Sequence, residues 1–183
     1  YDVTDYYYKL SSEYYGDGKK VRRDYIETIT RLFCDNFISP ITQWCERHGL
    51  ESTGHFYGEE DPLSGSLCAQ SVYRQIKLMG IPGFDIIGRY VGDRDHCALI
   101  LGAKIVVSAA IQSGKKRILA ECFALNPFNY GYDGLRKTAD WLFACGIDTF
   151  APHAFHYGYG AYQRTDAGKS FFYQDPLYGE YTE

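Results

Sequence analysis

The sequence predicts an α/β fold: parallel βα repeats forming part, about half, of a (β/α)8 TIM-type barrel. Three observations predict it. Short apolar runs begin near residues 51, 84, 117 and 147, a repeat of about thirty residues, the size of a βα unit. A stretch with helical spacing follows each of the first three, and strands alternating with helices imply a parallel sheet. No glycine-rich phosphate loop follows a strand: neither G-x-G-x-x-G nor a P-loop occurs, so the mark of a doubly wound sheet is missing. A whole barrel takes about 250 residues and eight strands. The 183 residues here form one domain: a helix and four βα units over 19–152, then an aromatic tail over 153–183.

The elements follow from local pattern. Residues 1–18 are rich in Tyr and close on Gly16-Asp17-Gly18 as a loop. From Val21, Tyr25, Ile26, Ile29, Leu32, Phe33, Phe37, Ile41, Trp44 and Cys45 recur at steps of three and four, which reads as a helix facing the core. Pro40 predicts a kink or break within it, and Gly49 its end. Leu50–Phe56 reads as the first strand. A second helix runs from about Ser66 to Met79, with Cys68, Val72, Ile76 and Met79 on one stripe. Pro82 and Gly83 then read as a break, and Phe84–Gly88 as the second strand. Asp95 is placed to cap a third helix carrying Leu99, Ile100, Ala103, Val106, Val107 and Ala110 inward. Arg117–Cys122 is the third strand, Asp133–Cys145 the fourth helix and Ile147–Ala151 the fourth strand. Four strands alone leave raw edges, so a missing N-terminal half of the barrel or a second copy is expected to cover them.

Composition removes several function classes. Net charge is −4 with no basic run, which argues against nucleic acid. No apolar stretch reaches the roughly 18 residues of a membrane span. The six cysteines form no C-x-x-C pair and fall mostly in apolar helical stretches. They read as small buried hydrophobes of a reducing compartment, and with no signal peptide at Tyr1 the expectation is cytoplasmic. Tyr supplies 18 residues, a composition suited to polar ligands with flat apolar faces, such as sugars.

Polar and titratable groups gather at one end of every strand. His55, Glu59, Glu60 and Asp61 follow the first; Arg89, Tyr90, Asp93 and Asp95 the second. Glu121, Asn126, Asn129 and Tyr130 follow the third, and His153, His156 and Tyr157 the fourth. The opposite ends carry Gly49, Gly83, Lys116 and Gly146. In such barrels the C-terminal ends of the strands hold the active site. Two carboxylates across a pocket are the apparatus of glycoside hydrolysis, one giving a proton to the leaving oxygen and the other activating water or attacking the sugar. Glu121, with apolar neighbours expected to raise its pKa, is the first candidate, and its partner is Glu59 or Glu60. His55, Asn126, His153 and Tyr157 are candidate sugar contacts. Asp85, inside the second strand, reads as a structural anchor as readily as a functional group.

Five segments taken in order resemble the barrel of large bacterial glycoside hydrolases of the α-L-rhamnosidase type (family 106). They are RRDYIETITRLFCDNFISPITQWCERHGLESTGHF, MGIPGFDIIG, KIVVSAAIQSGKKRILAECFA, GLRKTADWLFACGIDTFAPHAFHYG and FFYQDPLYGEY. The resemblance implies a carbohydrate substrate, Glu121 as the family's Glu after K-R-x-L, and Glu59 rather than Glu60 as the second carboxylate. It further implies inversion of configuration and Ca2+ near the sugar hydroxyls, with no ligands identified here. Enzymes of that type are several times longer and carry β-sandwich domains, so the resemblance implies a piece of a larger enzyme. Two other classes stay open: a metal-dependent sugar isomerase or lyase using Glu59, Glu121 and His153, and a non-catalytic, self-associating half-barrel.

Overall fold

The computed structural model describes residues 18–56, 59, 71–87, 91, 98–124 and 131–153, together with Thr4, Tyr7 and Leu10. Its elements are α1 (Gly18–Phe33), a π-helical turn (Cys34–Ile38), α2 (Ser39–Arg47), β1 (Thr53–Gly54), α3 (Val72–Ile76), β2 (Ile81–Ile87), α4 (Ala98–Gln112), β3 (Leu119–Ala124), α5 (Tyr132–Cys145) and β4 (Thr149–Pro152). The four strands form one sheet in the order β1-β2-β3-β4, every neighbouring pair parallel. Each connection therefore steps to the adjacent strand and the order never reverses. This singly wound α/β sheet is compatible with part of a βα barrel and lacks the reversal of a doubly wound one.

Alternation within the strands decides which side is covered. Phe84 and Ile86 of β2, and Ala120 and Cys122 of β3, are fully buried. They pack with Ala103, Val106, Ala109 and Ala110 of α4 and Leu142 and Cys145 of α5. The residues between them, Asp85 and Glu121, point to the other face, as the period of two requires. A parallel sheet covered on both faces reads as continuous apolar runs; here one face is helical core and the other carries acids.

Several boundaries differ from the sequence reading. Pro82 and Gly83 lie inside β2 rather than before it. Pro82 is tolerated because it is the second residue of its strand, where the missing N–H costs little. The first strand shrinks from Leu50–Phe56 to two residues, and β3 and β4 begin two residues later than expected. Ahead of Pro40 the chain passes through the π-helical turn and continues without a break; Pro40 sits in the first turn of α2, where its lack of N–H is harmless. Of the second helix, the described part is Val72–Ile76, and Ser66 to Gln70 lie outside the described residues, as do Asp95 and the segment 154–183.

The inward stripe of the first helix is also reassigned. Val21, Thr30, Cys34, Ile38 and Thr42, spaced mostly by four, are buried, whereas Tyr25, Leu32, Phe37, Ile41 and Trp44 are exposed. On α4, Ala103, Val106 and Ala110 point inward as expected while Ile100 is exposed. The apolar spacing was real, but its largest members face away from this sheet. Phe143, at the β4 side, is likewise exposed beside Phe150. Apolar surface thus lies open at both flanks. Among the described residues no helix is long and apolar enough to cross a membrane. Cys34, Cys45, Cys122 and Cys145 are free thiols; Cys68 and Cys97 lie outside the described residues.

Small polar links hold the seams. Thr42 Oγ1 and Ser52 Oγ share a hydrogen bond of 2.7 Å, and Gly80 N–H donates to the same Ser52 oxygen at 3.0 Å, tying α2, β1 and β2. Lys104 donates to Cys145 O at the end of α5 (3.1 Å). Gly146 closes α5 at φ +103, its N–H donating to Leu142 O and Phe143 O. At the β1–β2 seam the backbones approach so closely that a Cβ on Gly83 would overlap the Gly54 carbonyl. Gly83→Ala is therefore expected to destabilise the fold by about 2–4 kcal/mol, since the obstacle is backbone. Urea unfolding of the two proteins checks it; an unchanged midpoint contradicts the close seam.

Candidate active site

The strand ends bring four titratable side chains together. His55 follows β1, Glu59 lies four residues further, Asp85 is in β2 and Glu121 in β3. His55 Nε2 lies 3.0 Å from Glu121 Oε2, a hydrogen bond from the segment after β1 to β3, across β2. Nδ1 of the same ring lies 3.6 Å from Glu59 Oε1 and 4.0 Å from Asp85 Oδ2. Three carboxylates thus surround one imidazole. Those on opposite ring nitrogens, Glu59 and Glu121, have nearest oxygens at most roughly 9 Å apart, below the upper limit for carboxylate pairs that act on one glycosidic bond.

Their environments differ. The Glu59 side chain is 1% exposed, Asp85 16%, His55 30% and Glu121 33%. Glu59 Oε2 accepts the Phe56 N–H and Oε1 the Asp85 N–H. It therefore clamps the end of β1 to β2, satisfying two part-buried backbone donors. The most buried of these acids is Glu59; Glu121 reaches the open face, because its apolar neighbours Ala120 and Cys122 turn toward the helices.

A bulge fixes where Glu121 stands. Asp85 is in register with Glu121, but Ile87 pairs with Ala124, so β3 carries one extra residue directly after Glu121. Phe123 absorbs it at φ +70, a left-handed conformation rare for a bulky side chain. Such a bend beside a site re-aims side chains and ends regular pairing.

Of the residues singled out from sequence, His55, Glu59 and Glu121 meet in this cluster. His153 stands at the end of β4, its N–H donating to Cys122 O at 2.8 Å, on the opposite side of β3 from His55. Glu60, Asn126 and Tyr157 lie outside the described residues, as do Asp61, Arg89, Tyr90, Asp93, Asn129, Tyr130 and His156. Among the described residues no three His, Cys, Asp or Glu side chains are placed to hold a metal ion, so Glu59, Glu121 and His153 do not form the metal trio of the isomerase reading. Nor do the described residues supply a set of acidic ligands for Ca2+. Asp85 is the member that sequence reading undervalued. Its signal was present: an acid between buried apolar residues in Phe84-Asp85-Ile86 repeats the pattern Ala120-Glu121-Cys122 on the adjacent strand.

No family model, curated protein or solved structure matches the chain.

Behind the acids, Cys122 responds to their charge. Burial first, then the Glu121 and Asp85 carboxylates, push its thiol up to about 12 from 9.0. Burial likewise raises Cys34 and Cys145. Above about pH 9 the unfolded chain loses these protons while the folded chain keeps them, so stability, full below that pH, declines toward about pH 12. Urea midpoints measured from pH 8 upward are expected to fall, and less steeply in Cys122→Ala; equal slopes contradict this account of the thiol.

Proposed function

We propose that this chain supplies the catalytic face of a barrel-type glycoside hydrolase, in which Glu121 exchanges the proton at the glycosidic oxygen and His55 holds Glu121 in place. The observation that carries the reading is the 3.0 Å contact of Glu121 with His55 at the C-terminal ends of parallel strands, on the face the helices leave open. A carboxyl group there is accessible to substrate yet oriented by a neighbour, as general acid catalysis needs. The ordered segments that resemble α-L-rhamnosidase-type enzymes support an α-linked deoxysugar as substrate. Glu59 serves as the scaffold clamp. His153, at the far side of Glu121, is offered as a sugar contact, and Asn126, Tyr157 and Glu60 keep the roles their sequence positions suggest.

The exposed apolar flanks support a further half-barrel as partner, either from the same polypeptide or from a second copy. A self-associating half-barrel without catalysis is the competing reading that these flanks favour. A panel of nitrophenyl glycosides screened with the chain and with Glu121→Gln, beside a light-scattering mass, separates the two. The hydrolase reading predicts cleavage of at least one glycoside and a loss of about 10²–10⁴-fold in Glu121→Gln, larger for substrates with poor leaving groups. A dimer that cleaves nothing contradicts it.

A further inference from the structure

Hydrolysis needs a second carboxylate, and the resemblance to α-L-rhamnosidase-type enzymes names Glu59. The geometry points to Asp85 instead: we propose that Asp85 is the carboxylate that acts with Glu121 on the substrate. This rests on the hydrolase reading above.

Four observations carry it. Asp85 and Glu121 are register partners on neighbouring strands, about 4.8 Å apart along the sheet, and alternation turns both to the open face. They are the last pair before the bulge, beyond which the ladder resumes in shifted register at Ile87 and Ala124. Glu59, by contrast, is 1% exposed and accepts backbone N–H groups at both oxygens, whereas solvent reaches 16% of Asp85. For Glu59 to attack a sugar or take a proton from water, it would have to release two backbone donors and pass the His55 ring. His55 Nε2 lies 3.0 Å from Glu121, and its Nδ1 stands between Asp85 at 4.0 Å and the clamped Glu59 at 3.6 Å.

In the step, the Glu121 carboxyl proton moves to the glycosidic oxygen as the bond to the anomeric carbon breaks, and the bonding electrons leave with that oxygen. Water adds to the anomeric carbon. Asp85 either takes that water's proton directly, or first bonds to the anomeric carbon itself and is released by water whose proton passes to Glu121.

Chemical rescue tests the assignment, because azide fills the space of a deleted base or nucleophile and adds to the anomeric carbon. The aryl glycoside found in the screen is given to Asp85→Ala and Glu59→Ala with and without molar azide, and mass spectrometry detects glycosyl azide. Asp85→Ala is expected to lose about 10³-fold, to recover with azide and to form glycosyl azide, whereas Glu59→Ala forms none. Asp85→Asn, isosteric, guards against misfolding: it should lose the same activity with an unchanged melting temperature. Rescue confined to Glu59→Ala, or near-normal activity of Asp85→Asn, overturns the assignment while leaving the hydrolase reading intact. A wild-type chain that cleaves no glycoside overturns both.

Discussion

One hydrogen bond organises the open face of this sheet, the contact of His55 Nε2 with Glu121 Oε2. It joins a residue after the first strand to one in the third, so the second strand must pass beneath it without obstruction. The β1–β2 seam meets that demand by pairing Gly54 with Pro82 and placing a glycine next to it, so that two backbones nearly touch. Glu59 fastens the same corner from inside through the N–H groups of Phe56 and Asp85. The bulge at Phe123 then sets the height at which Glu121 leaves β3. Each device is local, and each bears on the position of one imidazole.

The division of labour among the acids follows from burial. A carboxylate with almost no exposure must have its oxygens satisfied by donors, and Glu59 is. That arrangement suits a clamp and hinders proton transfer. Asp85 and Glu121 stand on the face where the strands alternate acid with core, beyond the reach of the helices. The same openness leaves apolar side chains of α1, α2 and α5 exposed at the flanks, surface that a neighbouring βα unit would bury.

Much of the fold was legible in the sequence, because periodicity reports element type wherever one face is buried. All four strands and the helices between them occur in the expected order. What misled was chemistry with two meanings. Pro82 and Gly83 are breakers in most contexts, yet here the proline sits second in a strand and the glycine permits a close approach. The stripe Tyr25, Leu32, Phe37, Ile41 and Trp44 has core-like spacing but faces outward, and spacing alone cannot say which apolar face a given sheet receives. At the site, His55, Glu59 and Glu121 were legible as polar groups at strand ends. Their unequal burial was not, since it depends on which backbone amides lie nearby in space. Asp85 stays ambiguous in the sequence because one acid in a strand does not reveal its face until the register with Glu121 is known.

The open face depends on His55 bridging to Glu121 over the second strand. Ring-nitrogen NMR of the 15N-histidine-labelled chain tests it most directly, with His48, hydrogen-bonded to Trp44 O on the exposed end of α2, as internal reference. Replacing Glu121 with Gln should move the His55 ring signals and leave those of His48 in place. Signals of His55 that do not respond would contradict the bridge, and with it the shared site.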